Sequence, residues 1–503
     1  MQRYIILPPQ GVRLATAGGR APRGTGDIER FLAAAARPSR VAMRVRRART
    51  GGAATVRVLD SVHEDGAKLV EMAPDALLAL RTAQPGVRVL PELFYRPATS
   101  PRPLPARTPR AARAARAFGA VTVRVLSRAD GKPVKGAQVI ALTDYQAREG
   151  DVATTDARGE ARLRLPAAAR AIERLYVYPA LGLWSALKRN VRARATIEVS
   201  LAPLDLADED ALGHFYPAAR LATGRGVTVG VIDTGVGDHP DLVVSGGENT
   251  VQGERPGDWR DNGAGHGTHV AGIVAARGRR GGRGALGVRG LAPAVALRSY
   301  RVFGAGRELA SNFAILKALD RAVADRCDLV NMSLGGGAPD AATAAAIADA
   351  RAQGVLVIAA AGNDGRAPVS YPGADQLAIA VSAMGRKGTY PAGSTHAAEA
   401  MPPYGRDRRD FIAAFSNVGP EIDLTGPGVA IVSTWPGGYA ALDGTSMACP
   451  AVTGAAAALL ARRQSVLGMP RGQARSDAMA KLVFAAARSL GFAAEFEGRG
   501  MLL

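Results

Sequence analysis

"GVTVGVID", residues 226–233, runs through three valines and an isoleucine with no charge until Asp233. A strand with one solvated face alternates polar and apolar residues. This stretch is apolar or small almost throughout, as strands covered on both faces are. The pattern returns in "DLVNMSLGG" (328–336) and "GVLVIAAAG" (354–362). Helical runs lie among these strands: "THVAGIVAAR" (268–277), "LASNFAILKALDRAVADR" (309–326) and "DAATAAAIADARAQ" (340–353). Strand alternating with helix from about residue 208 onward predicts an α/β domain with a parallel sheet flanked by helices. Ligands of such sheets bind beyond the carboxyl ends of the strands. These strands run out there into Asp, Asn, Ser or Gly.

An acid at the end of a buried strand is costly without a partner, so Asp233 needs one. The chain has six histidines. His63 is in the N-terminal part, His214 precedes the sheet domain, His239 sits in the turn "DHPDL" and His396 in a polar loop. His266 and His269, in "GAGHGTHVAG" (263–272), stand at the entry to an Ala-rich helix. Their i,i+3 spacing does not suit the helical zinc pattern, which needs i,i+4 and a glutamate. A catalytic base at a helix start fits better, and His266 can partner Asp233. A third stretch, "LDGTSMACP" (442–450), places Gly444, Thr445 and Ser446 at the mouth of the apolar helix "AVTGAAAALLARR". The hydroxyls there would cap the helix, with Pro450 tolerated in its first turn. Equally, Ser446 would be a nucleophile beside unpaired backbone N–H groups and the positive end of the helix dipole. The stretch alone leaves both readings open.

In chain order the candidates are acid, histidine, serine. "VIDTGV", "GHGTHVAG", "NMSLGG", "AAAGNDG" and "GTSMACP", followed by the closing "EGRGML", resemble the successive signatures of the subtilisin-like serine peptidases. That order of Asp, His and Ser is the known subtilisin order. The resemblance covers residues 208–503. It implies a serine endopeptidase acting through an acyl-enzyme on protein or peptide substrates. Ser446 would be the nucleophile, His266 the general base and acid, Asp233 its orienting partner and Asn363 a donor to the oxyanion. It also implies substrate pairing along Ser333, Leu334 and Gly335, with Gly306, Arg307 and Glu308 as the opposite edge. Ala360, Ala361 and Gly362 would line the primary pocket, with Ser370 at its floor. Asp364 would either favour a basic residue or be solvated.

Three departures stand out. Ala451 follows Pro450 where the family often has histidine. The loop "RGRRGGRGALGV" (277–288) lacks the Asn and Asp oxygens of the familiar calcium loop, leaving Asp241 as one matching ligand position. No cofactor is required, calcium is weakly supported, and chelation is expected to cost little stability. The segment 385–410 is longer than a minimal member needs and reads as a surface lid. Cys449, three residues after Ser446, reads as a small buried helix residue.

The remaining chain divides by composition. Residues 1–96 read as a small α+β unit: strands at "YIIL", "ATVRVLDSV", "GAKLVEM" and "GVRVLPELFY", and a helix at "PDALLALRTAQ". The Arg-rich run 36–52 has no assignable structure. This unit resembles the family's propeptide inhibitor, which implies a latent precursor with its own N-terminal domain as intramolecular inhibitor. Residues 97–117 are a Pro/Arg-rich linker, expected to be protease-sensitive, with self-cutting expected between Glu92 and Ala117. Residues 118–205 show short strands between turn signals, the pattern of a small antiparallel β-sandwich, and resemble the carboxypeptidase regulatory-like type.

The net charge of +20 is concentrated at the front. Residues 1–205 hold 35 Lys and Arg against 17 Asp and Glu, and residues 206–503 hold 29 against 27. No aromatic interleaving accompanies the arginines, so a solvated basic surface is preferred to a nucleic-acid site. No apolar run reaches membrane-span length. No signal peptide is visible at the start, so the sequence reads as cytoplasmic although the family is often secreted. The two cysteines exclude a disulfide framework. An alternative reading is a catalytically impaired peptide-binding or interaction protein that uses its basic N-terminal domains.

Overall fold

A computed structural model describes residues 1–13, 26–34, 43–46, 53–106, 118–166, 168–207, 210–217, 220–278 and 287–503. The C-terminal part is α/β, as the strand pattern predicts. Its sheet runs in the order Val244–Asn249, Ala296–Arg301, Thr228–Asp233, Leu329–Met332, Leu356–Ala360, Ala378–Arg386, Leu424–Pro427, Met501–Leu502 and Ala487–Arg488. Neighbours pair in parallel as far as Met501; Ala487–Arg488 and the side strand Asp410–Ile412 pair antiparallel. Both faces are covered. Val229 and Val231 pack with helices His266–Ala275 and Thr445–Ala461. Ile232, Val330 and Met332 pack with helices Asn312–Ala324 and Ala341–Ala352.

The N-terminal unit is a five-stranded antiparallel sheet, ordered Met43–Arg46, Ala53–Ser61, Lys68–Met72, Gln2–Leu7 and Arg88–Pro91. Met43–Arg46 lies inside the Arg-rich run that the sequence leaves unassigned, and helix Gly26–Ala34 was also not foreseen. One sheet face packs on helix Pro74–Ala83 through Ile6, Val70 and Leu80. The other lies on the peptidase: Ile5, Leu7 and Leu69 join the cluster of Phe313, Leu316 and Ile347. Ion pairs rim this contact, Arg13 Nε on Asp320 at 2.6 Å and Lys317 Nζ on Asp60 at 2.8 Å.

"GVRVLPELFY" is not one strand. Arg88–Pro91 completes the N-terminal sheet, and Phe94–Pro97 crosses to the peptidase. Its two halves answer to different partners, which periodicity does not reveal.

Residues 118–201 form the sandwich. One sheet is Glu160–Pro166, Phe118–Ser127 and Thr196–Leu201; the other is Ala186–Arg192, Ala171–Tyr178, Gln138–Asp144 and Glu149–Thr154. Thr196–Leu201 pairs parallel with Phe118–Ser127, so the sandwich is not wholly antiparallel. Val123, Ala141, Leu163 and Val177 fill the space between the sheets.

Candidate active site

Asp233 ends its strand fully buried, and His266 opens the helix that follows. His266 Nδ1 donates to Asp233 Oδ1 at 2.7 Å, and the same oxygen accepts the Thr234 N–H at 2.7 Å. A carboxylate so placed fixes the imidazole tautomer, leaving Nε2 as the reactive nitrogen. His266 Nε2 is buried and makes no hydrogen bond among the described residues. The turn before it is tight: Gly265 has φ 78°, and a Cβ there would lie 2.5 Å from the Trp435 ring.

Ser446 is the second residue of helix Thr445–Ala461. Its N–H is one of those a helix start leaves unpaired. Its hydroxyl donates to the Ser333 carbonyl at 2.9 Å rather than to His266. Pro450 sits in the second turn of this helix, not the first. Lacking an N–H, it frees the Ser446 carbonyl four residues back, and Ser333 Oγ donates to that carbonyl at 3.0 Å. Asn363, buried after strand Leu356–Ala360, accepts from the Thr445 N–H at 2.8 Å through Oδ1. With Oδ1 committed, the amide has Nδ2 to offer a ligand.

The chain itself occupies the groove. Phe94–Pro97 lies antiparallel between two peptidase edges, Ala310–Ser311 and Leu334–Gly335. The Ala98 N–H donates to the Ser333 carbonyl and the Ser446 N–H donates to the Ala98 carbonyl, each at 3.1 Å. Beyond it, the Ser100 N–H donates to the Asp443 carbonyl at 2.9 Å. Gly444 makes the close passage possible: it has φ 153°, and a Cβ there would fall 2.6 Å from the Ala98 oxygen. Tyr95 is buried against the peptidase, its hydroxyl donating to Asp340 at 3.0 Å. Asp340 also accepts from Thr343 Oγ1 at 2.6 Å and Asn312 Nδ2 at 3.1 Å.

Leu334 and Gly335, named for substrate pairing, here pair with this strand of the chain itself, through Pro97 and Arg96, and Ser333 binds Ala98. The opposite edge is Ala310–Ser311, not Gly306–Glu308. Gly306 turns at φ 64°, and the chain becomes extended only after it. Ala360 shares the buried cluster of Ala98, while Ala361 packs with Val369. Ser370 fits between Gly335 and Gly362; a Cβ on either would come within 2.7 Å of its hydroxyl. Asp364 is exposed and hydrogen-bonded to Asn417. Asp340 escaped sequence reasoning because an Asp before an Ala-rich run reads as a helix cap, which it also is.

His269 is a core residue. Its Nε2 lies 3.1 Å from both the Ile431 and Ala440 carbonyls, and burial pushes its imidazole down to about 3. Cys449 is fully buried, and burial pushes its thiol upward, away from the thiolate. Asp241 accepts from the Val288 N–H at 3.0 Å and the Tyr439 hydroxyl at 2.9 Å. No group of three acidic, histidine or cysteine ligands exists among the described residues, and 279–286 lie outside them.

Nor is 385–410 a free lid. Its turn Thr395–Glu399 carries the buried His396, whose Nδ1 pairs with Asp443 at 2.7 Å. The sandwich docks on it: Ser185 Oγ lies 2.5 Å from Thr395 Oγ1 and 3.3 Å from His396 Nε2, and the Leu187 N–H donates to the Gly393 carbonyl at 2.8 Å.

Comparison with known proteins supplies the family. A model of the subtilase family, Peptidase_S8, matches residues 224–499. The chain belongs to the subtilase family. This subtilase is 40% identical to subtilisin BL of Lederbergia lenta over 245 residues, 48% of this chain and 79% of that protein. It is 40% identical to an alkaline protease of Shouchella clausii over 244 residues, 48% of this chain and 56% of that one. Subtilisin DY of Bacillus licheniformis is 38% identical over 245 residues, 48% and 78% of the two chains. The subtilase is accordingly a serine-type endopeptidase, and its substrates are proteins or peptides. No described helix is long and apolar enough to cross a membrane.

Proposed function

We propose that this subtilase is made as a latent precursor and cuts itself between Ala98 and Thr99, using Ser446, His266 and Asp233. The observation that carries the reading is the strand 94–98 in the groove, with the Ala98 carbonyl 3.1 Å from the Ser446 N–H. In the reaction the Ser446 hydroxyl turns from the Ser333 carbonyl to His266 Nε2 and gives up its proton there. Its oxygen bonds to the Ala98 carbonyl carbon. The Ser446 N–H and Asn363 Nδ2 hold the oxyanion; losing such a side-chain donor costs ~10²–10³ in kcat in subtilisin. The bond to Thr99 breaks and its nitrogen takes the proton from His266. Water then hydrolyses the acyl-enzyme, with His266 as base again. Asp233 stabilises the imidazolium throughout.

The N-terminal unit, docked on helices Asn312–Ala324 and Ala341–Ala352, then acts as the inhibitor whose tail is a product-like strand. Intact-mass measurement tests this. Purified wild type is expected to begin at Thr99, at a rate independent of concentration, while Ser446→Ala stays full-length. Casein hydrolysis by Ser446→Ala or His266→Ala is expected to fall by about 10⁶-fold, the loss familiar from subtilisin. An active wild type still carrying residues 1–98 would refute the precursor reading.

A further inference from the structure

The chain does not leave the groove for solvent after Ser100. It crosses onto the sandwich. Arg102 Nη1 donates to Gln138 Oε1 at 2.9 Å, and its guanidinium lies 4.5 Å from the centre of the Tyr178 ring. The Leu104 N–H folds back on the Arg102 carbonyl at 2.8 Å, and the Ala106 N–H donates to the Arg148 carbonyl at 2.9 Å. Tyr178 is stacked on Tyr176, ring planes 2° apart. Tyr176, Ile140 and Leu142 form a cluster separate from the sandwich core, on the alternate positions of their strands, and are nonetheless buried. Burial raises the Tyr178 phenol, more than the Arg102 guanidinium lowers it, so the ring stays neutral. A neutral π-face and an amide oxygen suit a cation.

We propose that the sandwich is part of the substrate groove: Gln138 and Tyr178 form a subsite for arginine at the fourth position after the scissile bond. Ala98 sits on the nucleophile's N–H, so Thr99 is the first leaving-side residue and Arg102 the fourth. In the precursor Arg102 occupies the subsite. The mature chain, beginning at Thr99, keeps Arg102, so the leaving side of a protein substrate enters the subsite by displacing it. The sandwich's fixed seat on 393–396 gives the subsite a constant distance from Ser446. A sandwich serving only as a spacer would need no such contacts with residues 102–106.

This inference rests on the proposed self-cutting reading, and its test separates the two. Mature Arg102→Ala enzyme, whose own N-terminal segment leaves the subsite open, is given internally quenched peptides carrying residues 94–104, with Arg or Ala at the fourth leaving-side position, and a third with Arg at the fifth position. Alongside runs a chromogenic amide with nothing beyond the bond. Arg at the fourth position is expected to raise kcat/KM about fivefold over Ala, the scale of one cation–π contact and one hydrogen bond. Arg at the fifth is expected to give no gain. In Gln138→Ala/Tyr178→Ala the ratio is expected to fall to about 1. Equal rates for both peptides in Arg102→Ala overturn the subsite, whereas failure on the chromogenic amide overturns the catalytic reading. A second measurement needs no turnover. In uncut Ser446→Ala, adding Gln138→Ala/Tyr178→Ala is expected to raise amide exchange at Leu104 and Ala106 at least tenfold; unchanged exchange also overturns the proposal.

Discussion

The two small units ahead of the peptidase are joined to it in opposite ways. The sandwich closes its core between its own two sheets, and it meets the peptidase through hydrogen bonds of Ser185 with Thr395 and His396 and through the Trp184 ring, which packs on the peptidase core and lies edge-on to His396. The N-terminal sheet completes its burial on another domain: Ile6 faces its own helix while Ile5 and Leu7 face the peptidase. A unit with a closed core folds alone, and one that shares its core folds on its partner. The difference suits their proposed fates, since the sandwich stays while the N-terminal unit leaves and loses its fold when it does.

The sharpest way to break this contrast is to express each unit by itself. Residues 118–205 are expected to unfold in one cooperative thermal transition. Residues 1–98 are expected to show no such transition until the mature peptidase is added. Cooperative melting of both would erase the distinction.

Acid offers the next largest effect. The sandwich contains no histidine, whereas the peptidase buries His269 with its pKa depressed to about 3. The unfolded imidazole takes its proton near 6.5. The neutral ring's contribution is therefore fully present above pH ~6.5 and is lost as pH falls toward 3, up to about 5 kcal/mol. Calorimetry between pH 7 and 4 should show the peptidase transition dropping well ahead of that of the isolated sandwich. Parallel shifts would mean that His269 is not the acid-sensitive element.

Within the shared core, Leu69→Ala in the uncut Ser446→Ala protein should weaken docking of the N-terminal sheet by about 2–4 kcal/mol. Amide exchange across residues 2–7 reads it directly. At the sandwich interface, loss of one hydroxyl in Ser185→Ala should cost only about 1 kcal/mol and leave the sandwich's own melting unchanged. An effect as large as that of Leu69→Ala would mean that the two interfaces are alike.

The contrast also marks what the sequence could reveal. Asp233 and His266 stand out from a buried strand end and a helix start, whereas the stretch at Ser446 reads equally as a cap, and Asn363 is named only through the family resemblance. Leu334 and Gly335 are likewise named through that resemblance. Ala310–Ser311 is not, because a two-residue backbone edge carries no side-chain signature. The break between Pro91 and Phe94 is hidden because both halves are extended and only their partners differ. The pairing of His396 with Asp443 joins residues 47 apart, a distance across which no periodicity reaches. The 385–410 segment therefore read as a flap when it is a seat for the sandwich.

Gly444 has one more consequence. The groove holds the peptide plane at Ala98 by leaving out an atom: a methyl group on Gly444 would press within 2.6 Å of the Ala98 oxygen and 3.1 Å of the Thr99 Cα. A displacement of about 1 Å at the reacting carbonyl is enough to cost ~10² in rate. The proposed scissile bond is thus gauged against bare backbone, which every polypeptide presents alike. Alignment at the point of attack is indifferent to the side chains on either side of the bond, and discrimination is left to places farther out, at Tyr95 and Arg102, where side chains meet pockets.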